Sequence, residues 1–196
     1  MKAYYDARAP EYDDVWLRRG RFAERHVKDW FEEVTLLLGA IASLPAAKTL
    51  DVACGTGFLT RHLHGDVTGF DQSPQMLEEA RRKVPGARFV QGDAIDLPFE
   101  DGEFDRLFTS FFYGHLEGDD RARFVDECRR VADELVFVDA SRERAQVDDE
   151  QQQRVLNDGS TWSVYKRYFR PDELLDEVGG GGDVLHAGHS FVMVRA

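Results

Sequence analysis

Residues 50 to 57 read Leu50-Asp51-Val52-Ala53-Cys54-Gly55-Thr56-Gly57, an apolar run that carries one carboxylate and breaks into a Gly-x-Gly turn. A buried strand feeding so tight a turn is the opening unit of a parallel α/β sheet, because glycine lets the backbone bend sharply and approach a ligand closely. The pattern then repeats. Val67 to Phe70 is a second short apolar run that ends at Asp71, leaving room after Gly57 for one short helix and a return strand. A carboxylate at that strand end can accept hydrogen bonds from the two hydroxyls of a ribose. Arg88 to Gly92 is a third run, closed by Asp93, and Phe104 to Thr109 a fourth.

The rest of the chain follows the same alternation. The spacing predicts strands at 47–53, 67–71, 88–92, 104–109 and 135–139, with helices at 58–64, 74–84 and 119–132 between them. Residues 10–44 read as helical, with Val15, Phe22, Val27, Trp30, Val34 and Leu37 at three- and four-residue spacings. The tail is expected to hold a polar helix at 148–156, a turn at Asn157-Asp158-Gly159, an alternating strand at 161–169, a helix at 171–178, a glycine loop at 179–182 and a last strand at 190–195. Such alternation implies a parallel sheet with helices on both faces and ligands at the carboxyl ends of the strands.

Two function classes compete at the turn. A dinucleotide fingerprint places a third glycine three residues after Gly57, where this chain has Thr60, and Asp51 would repel a pyrophosphate while suiting a cation. A nicotinamide oxidoreductase is therefore disfavoured, and a cofactor-binding module without catalysis stays open. The chain has 25 Lys and Arg against 37 Asp and Glu, a net charge of -12, which argues against a nucleic-acid backbone or an anionic membrane as partner. No apolar stretch reaches the roughly 18 residues of a bilayer span, and no secretion signal is read at Met1 to Asp6, so a cytoplasmic protein is expected. Cys54 and Cys128 give no disulfide framework or metal spacing, and Cys54 reads as a small residue filling a crowded turn. His62, His64, His186 and His189 likewise show no metal-ligand spacing, so no metal is expected.

Leu50 to Gly57 together with Gly69-Phe70-Asp71-Gln72-Ser73-Pro74-Gln75-Met76-Leu77 resembles the first two motifs of the class I S-adenosylmethionine (SAM)-dependent methyltransferases. The resemblance implies a Rossmann-like three-layer αβα sandwich, its seven-stranded sheet mostly parallel with an antiparallel last strand, and a cofactor held by Asp51, Ala53, Cys54, Gly55, Thr56, Gly57, Asp71, Gln72 and Met76. It implies that Asp93 and Ala94 contact the adenine. It also places Ser110-Phe111-Phe112-Tyr113 where methyl donor meets acceptor, with Thr109 and Ser110 among the cofactor contacts and Tyr113 among the substrate contacts. Tyr4 to Asp13 looks like the lid of small-molecule methyltransferases, with Tyr5 and Tyr12 over the cofactor; anchoring the terminus is an equal reading. One domain is expected over 1–196, divided into a helical lid (1–44), a cofactor-binding core (45–140) and a substrate-side segment (141–196). One departure from the family is Val131-Ala132-Asp133-Glu134, which lacks the usual proline-glycine turn before the fifth strand.

The implied reaction is methyl transfer to a small molecule, with oxygen the favoured acceptor and a monomer or homodimer as the working form. His115, just after the fourth strand, is the candidate base, with a structural role as its alternative. Residues 153–174 are similar to small bacterial O-methyltransferases acting on anionic metabolites, phosphonates included, which implies that Arg154 and Lys166 lie near the acceptor. The alternation of Trp162, Tyr165, Tyr168 and Phe169 with Lys166, Arg167 and Arg170 fits either a pocket wall or core aromatics beside solvated charges.

Overall fold

In the computed structural model, which describes residues 1–24 and 27–196, the chain alternates strand and helix around one large sheet. The strands are β1 (Ala47–Val52), β2 (Gly65–Asp71), β3 (Arg88–Gln91), β4 (Phe104–Ser110), β5 (Ala132–Ala140), β6 (Asp149–Val155), β7 (Thr161–Arg167), β8 (Asp183–Ala187) and β9 (Phe191–Arg195). The helices are α1 (Lys2–Arg8), α2 (Asp14–Leu17), α3 (Trp30–Ala42), α4 (Pro74–Lys83), α5 (Asp119–Val131), α6 (Arg142–Ala145) and α7 (Pro171–Val178). Seven strands pair in the order β3-β2-β1-β4-β5-β9-β8. Neighbours from β3 through β5 are parallel, and β9 runs antiparallel to both β5 and β8. This is the Rossmann-like sandwich with its antiparallel last strand.

Both faces of the sheet are covered. On one, Leu50, Val52, Leu107 and Phe137 meet Phe124, Cys128 and Val131 of α5 and Leu174 and Val178 of α7. On the other, Phe108, Val136, Val138 and Met193 meet Trp30, Val34, Leu37 and Ile41 of α3. The α5 residues recur at helical spacing, which turns one apolar stripe inward. Helix α4 starts where its sequence dictates: the Ser73 hydroxyl accepts from the Met76 amide at 3.1 Å, and Pro74 occupies the first turn. Because β1 lies between β2 and β4, its carboxyl end and theirs open on one common edge.

Several expectations change. Residues 10–44 are not one helix: Arg18, Gly20 and Asp29 take positive φ, so α2, a 3-10 turn at Gly20–Phe22 and α3 are separate pieces. Positions 25 and 26 of that reading lie outside the described residues. The 58–64 helix shrinks to a 3-10 turn at Thr60–His62. Helix α5 passes into β5 with no intervening loop, so that strand begins at Ala132, and β8 follows the glycine loop. The polar helix expected at 148–156 is instead β6, paired antiparallel with β7 in a two-stranded hairpin of its own. Its turn is closed by the Leu156 amide donating to the Ser160 carbonyl and by Gly159 at φ +85°. The Thr, Trp, Val and Tyr of β7 favour an extended partner, and that pairing overrides the weak helical preference of the Gln-rich run.

Gly57 gives a stability test. Its φ is +75°, and a Cβ there would lie 3.0 Å from Val84 and 3.3 Å from the Ala80 backbone, whereas Gly102, at φ +63°, faces open space. Gly102→Ala carries only left-handed strain, about 1–2 kcal/mol, while Gly57→Ala adds overpacking against α4, about 1–3 kcal/mol more. Denaturant unfolding of both variants measures the difference, and equal losses would contradict the packing argument.

Candidate active site

The turn after β1 coils because three of its residues are left-handed: Ala53 at φ +58°, Gly55 at +55° and Gly57 at +75°. Asp71, at the end of β2, holds it in place. One carboxylate oxygen accepts from the Gly55 amide at 3.0 Å and the other from the Ser73 amide at 2.8 Å. Each oxygen keeps a lone pair for a further donor. Burial raises the Asp71 pKa above the ordinary carboxylate value, and the bonds from Ser73 and Gly55 oppose the shift.

A cleft opens at this edge of the sheet. Tyr5, Tyr12, Ala53, Gly55, Asp71, Gln72, Met76, Asp93, Ala94 and Ser110 line it together with Phe70, Gly92, Phe111 and Phe112. None of these side chains is cationic and two are acids, which suits a ligand carrying positive charge and no phosphate. Asp93 closes a local turn by accepting from the Ile95 amide at 3.2 Å. Phe111 and Phe112 fall in the stretch expected where donor meets acceptor, whereas Phe70 and Gly92 were missed as lining residues, being types common in any core.

Five expected cofactor residues support the cleft without lining it. Thr109 donates to the Val52 carbonyl at 2.9 Å, Thr56 donates to Asp13, and Gly57 packs on α4. Cys54 is buried, and burial pushes its thiol well above the ordinary value, leaving it a packing residue. Asp51 is 1% exposed. One of its oxygens accepts from the Thr60 hydroxyl at 2.6 Å, and the other is buried with no hydrogen-bond partner. An orphaned carboxylate oxygen beneath the glycine turn is what a nearby cation would compensate, so these residues fit the charge of SAM.

Tyr5, Tyr12 and Phe111 also line a second, larger cavity of about 620 Å³. His115, Arg154 and Lys166 stand on its wall. The His115 Nδ1 lies 2.6 Å from the Tyr165 carbonyl; a carbonyl only accepts, so Nδ1 carries the proton and Nε2 keeps a lone pair. Burial, with Lys166 and Arg154 adding to it, lowers the His115 pKa well below the ordinary value and keeps the ring neutral. Lys166 is 4% exposed and its charge is matched by Asp139, whose second oxygen accepts from the Gly114 amide at 2.8 Å. Tyr113 is a correction: it lines neither cavity, donates to Glu177 at 2.9 Å and packs among Phe124, Phe137 and Phe169. Among the described residues no cluster of His, Cys, Asp and Glu is placed to hold a metal ion, and no helix is long and apolar enough to cross a membrane.

The N-terminal segment spans both cavities. Asp6 accepts from the Ser73 hydroxyl at 2.6 Å, Asp13 pairs with Lys83 at 2.7 Å, and Glu11 accepts from the Asn157 amide of the hairpin turn at 2.7 Å. Tyr4, 2% exposed, packs against Leu156, Val164 and Trp162.

Asp51 sets a pH test on the ligand-free protein. Burial pushes its pKa up to about 7 from 3.8, with the Thr60 bond opposing and Asp71 adding to the shift. The folded state holds this proton more tightly than the unfolded state, so its contribution to stability falls as pH rises from about 4 to about 7 and is flat above. Asp51→Asn removes that slope. The variant is expected to match the wild type near pH 4 and to exceed it by a few kcal/mol, at most about 4, near pH 8. Denaturant melts across that range check it, and a difference independent of pH would contradict it.

The methyltransferase-domain family pattern matches residues 50–155. The demethylmenaquinone methyltransferase of Thermotoga maritima is 43% identical over 89 residues, 43% of this chain and 38% of that protein. The 2-phytyl-1,4-naphtoquinone methyltransferase of Trichormus variabilis is 32% identical over 145 residues, 67% of this chain and 59% of that protein. The matched stretches thus span under two thirds of these curated relatives. A solved structure of DhpI in complex with SAM and HEP superposes with a TM-score of 0.74 at 27% identity, covering 98% of this chain and 94% of that one. With the glycine turn, the strand-end acids and the strand order agreeing with these similarities, the chain belongs to the class I SAM-dependent methyltransferases.

Proposed function

We propose that this chain transfers a methyl group from SAM to the oxygen of a small anionic acceptor bound in the larger cavity. The observation that carries the reading is the charge of the wall. Arg8, Arg21, Arg144 and Arg154 line it beside Lys166, which is paired with Asp139, against two carboxylates among the described lining residues, Glu11 and Glu150, in a chain of net charge -12. A cationic wall in an acidic protein attracts an anion by its local field. The similar DhpI structure is a complex with both SAM and HEP, which supports a second ligand beside the cofactor.

When bound, SAM supplies a methyl group activated by its sulfonium, so the chain's own work is alignment and exclusion of water. Tyr5, Tyr12 and Phe111, common to both cavities, mark where the two ligands would meet. The segment from Tyr4 to Asp13 covers that junction and serves as the lid. A hydroxyl acceptor must lose a proton, and His115, with Nε2 unprotonated on the cavity wall, is the residue to take it, although the burial and cations that keep it neutral also weaken it as a base.

A second reading rests on the aromatic part of the same wall, Trp16, Trp30, Phe111 and Phe191, which would accept a planar ring such as the quinones named in two relatives, demethylmenaquinone and 2-phytyl-1,4-naphtoquinone. A SAM-consumption assay over hydroxylated carboxylates and phosphonates, phenols and a naphthoquinol, with product masses recorded, separates the two. Turnover is expected among the anionic hydroxyl compounds, with the methyl on oxygen. Turnover confined to neutral rings would overturn the anionic reading. With the preferred acceptor, His115→Gln is expected to lower kcat by roughly 100-fold or more while the affinity for S-adenosylhomocysteine holds; an unchanged kcat would remove His115 from catalysis.

A further inference from the structure

Two guanidinium groups from opposite ends of the chain converge on one oxygen. Arg8, at the end of α1, donates to the Tyr4 hydroxyl, and Arg154, on β6, donates to the same oxygen at 3.2 Å. Both also sit against the Tyr4 ring, 5.6 Å and 5.8 Å from its centre. Each lines the larger cavity, and among the described residues neither has a carboxylate partner in an ion pair. Arg8 is otherwise stacked over Tyr12 at 5.0 Å, and Arg154 is held by the Gln152 side-chain oxygen at 2.8 Å. Of the two acids on the wall, Glu11 accepts from the Asn157 amide, and Glu150 accepts from the Tyr168 hydroxyl and the Gln152 side-chain amide; Glu150 feels the charge of Arg154 without forming an ion pair with it.

Proteins seldom hold two like charges this close without a counterion, because the repulsion grows as water is excluded. A phenol oxygen accepts their hydrogen bonds but neutralises neither. An oxyanion group between the two planar forks would receive charge-assisted bonds from both.

Resting on the anionic-acceptor reading, we propose that Arg8 and Arg154 together bind the acceptor's oxyanion group, a phosphate, phosphonate or carboxylate. Arg8 is then a specificity-determining residue that the N-terminal segment brings to the site. One arm is on the N-terminal helix and the other on the hairpin, so the anion also fastens these two elements together. The acceptor thereby closes the cavity that it occupies, and a neutral acceptor of the same shape does not.

The test uses the full chain saturated with S-adenosylhomocysteine, with inorganic phosphate and acetate as probes in titration calorimetry at low salt. Wild type is expected to bind at least one of the two anions. Arg8→Gln and Arg154→Gln should each weaken it by about tenfold or more, and Arg8→Lys, which keeps charge without the fork, by less. Amide exchange should slow in both residues 2–13 and 149–155 when the anion binds wild type, and in neither segment in the two glutamine variants. Anion binding that survives Arg8→Gln unchanged would overturn the paired site while leaving an anionic acceptor standing. Absence of anion binding in wild type would overturn both.

Discussion

The Asp71 carboxylate is the constraint on which the site depends. Its two oxygens fix the Gly55 and Ser73 amides, joining the turn after β1 to the start of α4. Ser73 in turn caps α4 and donates to Asp6, and Thr56 donates to Asp13, so the N-terminal segment docks on the turn that Asp71 organises. Placing an acid at the end of a buried strand raises its pKa; the structure tolerates this because backbone donors reach it from two sides.

Charge sorts the two ligands. Around the cofactor cleft stand Asp71 and Asp93, with Asp51 beneath, and around the larger cavity stand mostly cations. On the proposed reading, a sulfonium and an anionic acceptor would each find the opposite sign, and transfer of the methyl group would neutralise the sulfonium. The net charge of the chain shows neither site, because most of its acids lie outside both cavities. What matters is where a few groups face, as with the partnerless oxygen of Asp51 and the two arginines on Tyr4.

The cofactor half was legible because its chemistry is local. Leu50 to Gly57 and Val67 to Met76 carry strand, turn, acid and helix cap within a few residues, so spacing alone places Gly55, Asp71 and Met76 together. The larger cavity, the proposed acceptor site, comes from distant pieces. Arg8, Arg154 and His115 meet only because a hairpin outside the main sheet folds toward the N-terminus, and that hairpin came from a run whose Gln-rich strand reads as a polar helix. Tyr113 was misplaced for a related reason. Beyond β4 the chain takes a left-handed residue at Phe111 and then a 3-10 turn, which sends Phe111 to the cavities and Tyr113 into the opposite core. Side-chain alternation cannot be carried past such a break.

Titration of S-adenosylhomocysteine into wild type and Asp71→Asn, with circular dichroism to confirm the fold, tests the central claim most directly. Wild type is expected to bind with one-to-one stoichiometry. The variant, one acceptor oxygen short and uncharged, is expected to bind roughly 10- to 100-fold more weakly, the scale of a charge-assisted bond lost in a buried site. Equal affinity in the two proteins, with native dichroism in both, would contradict the account.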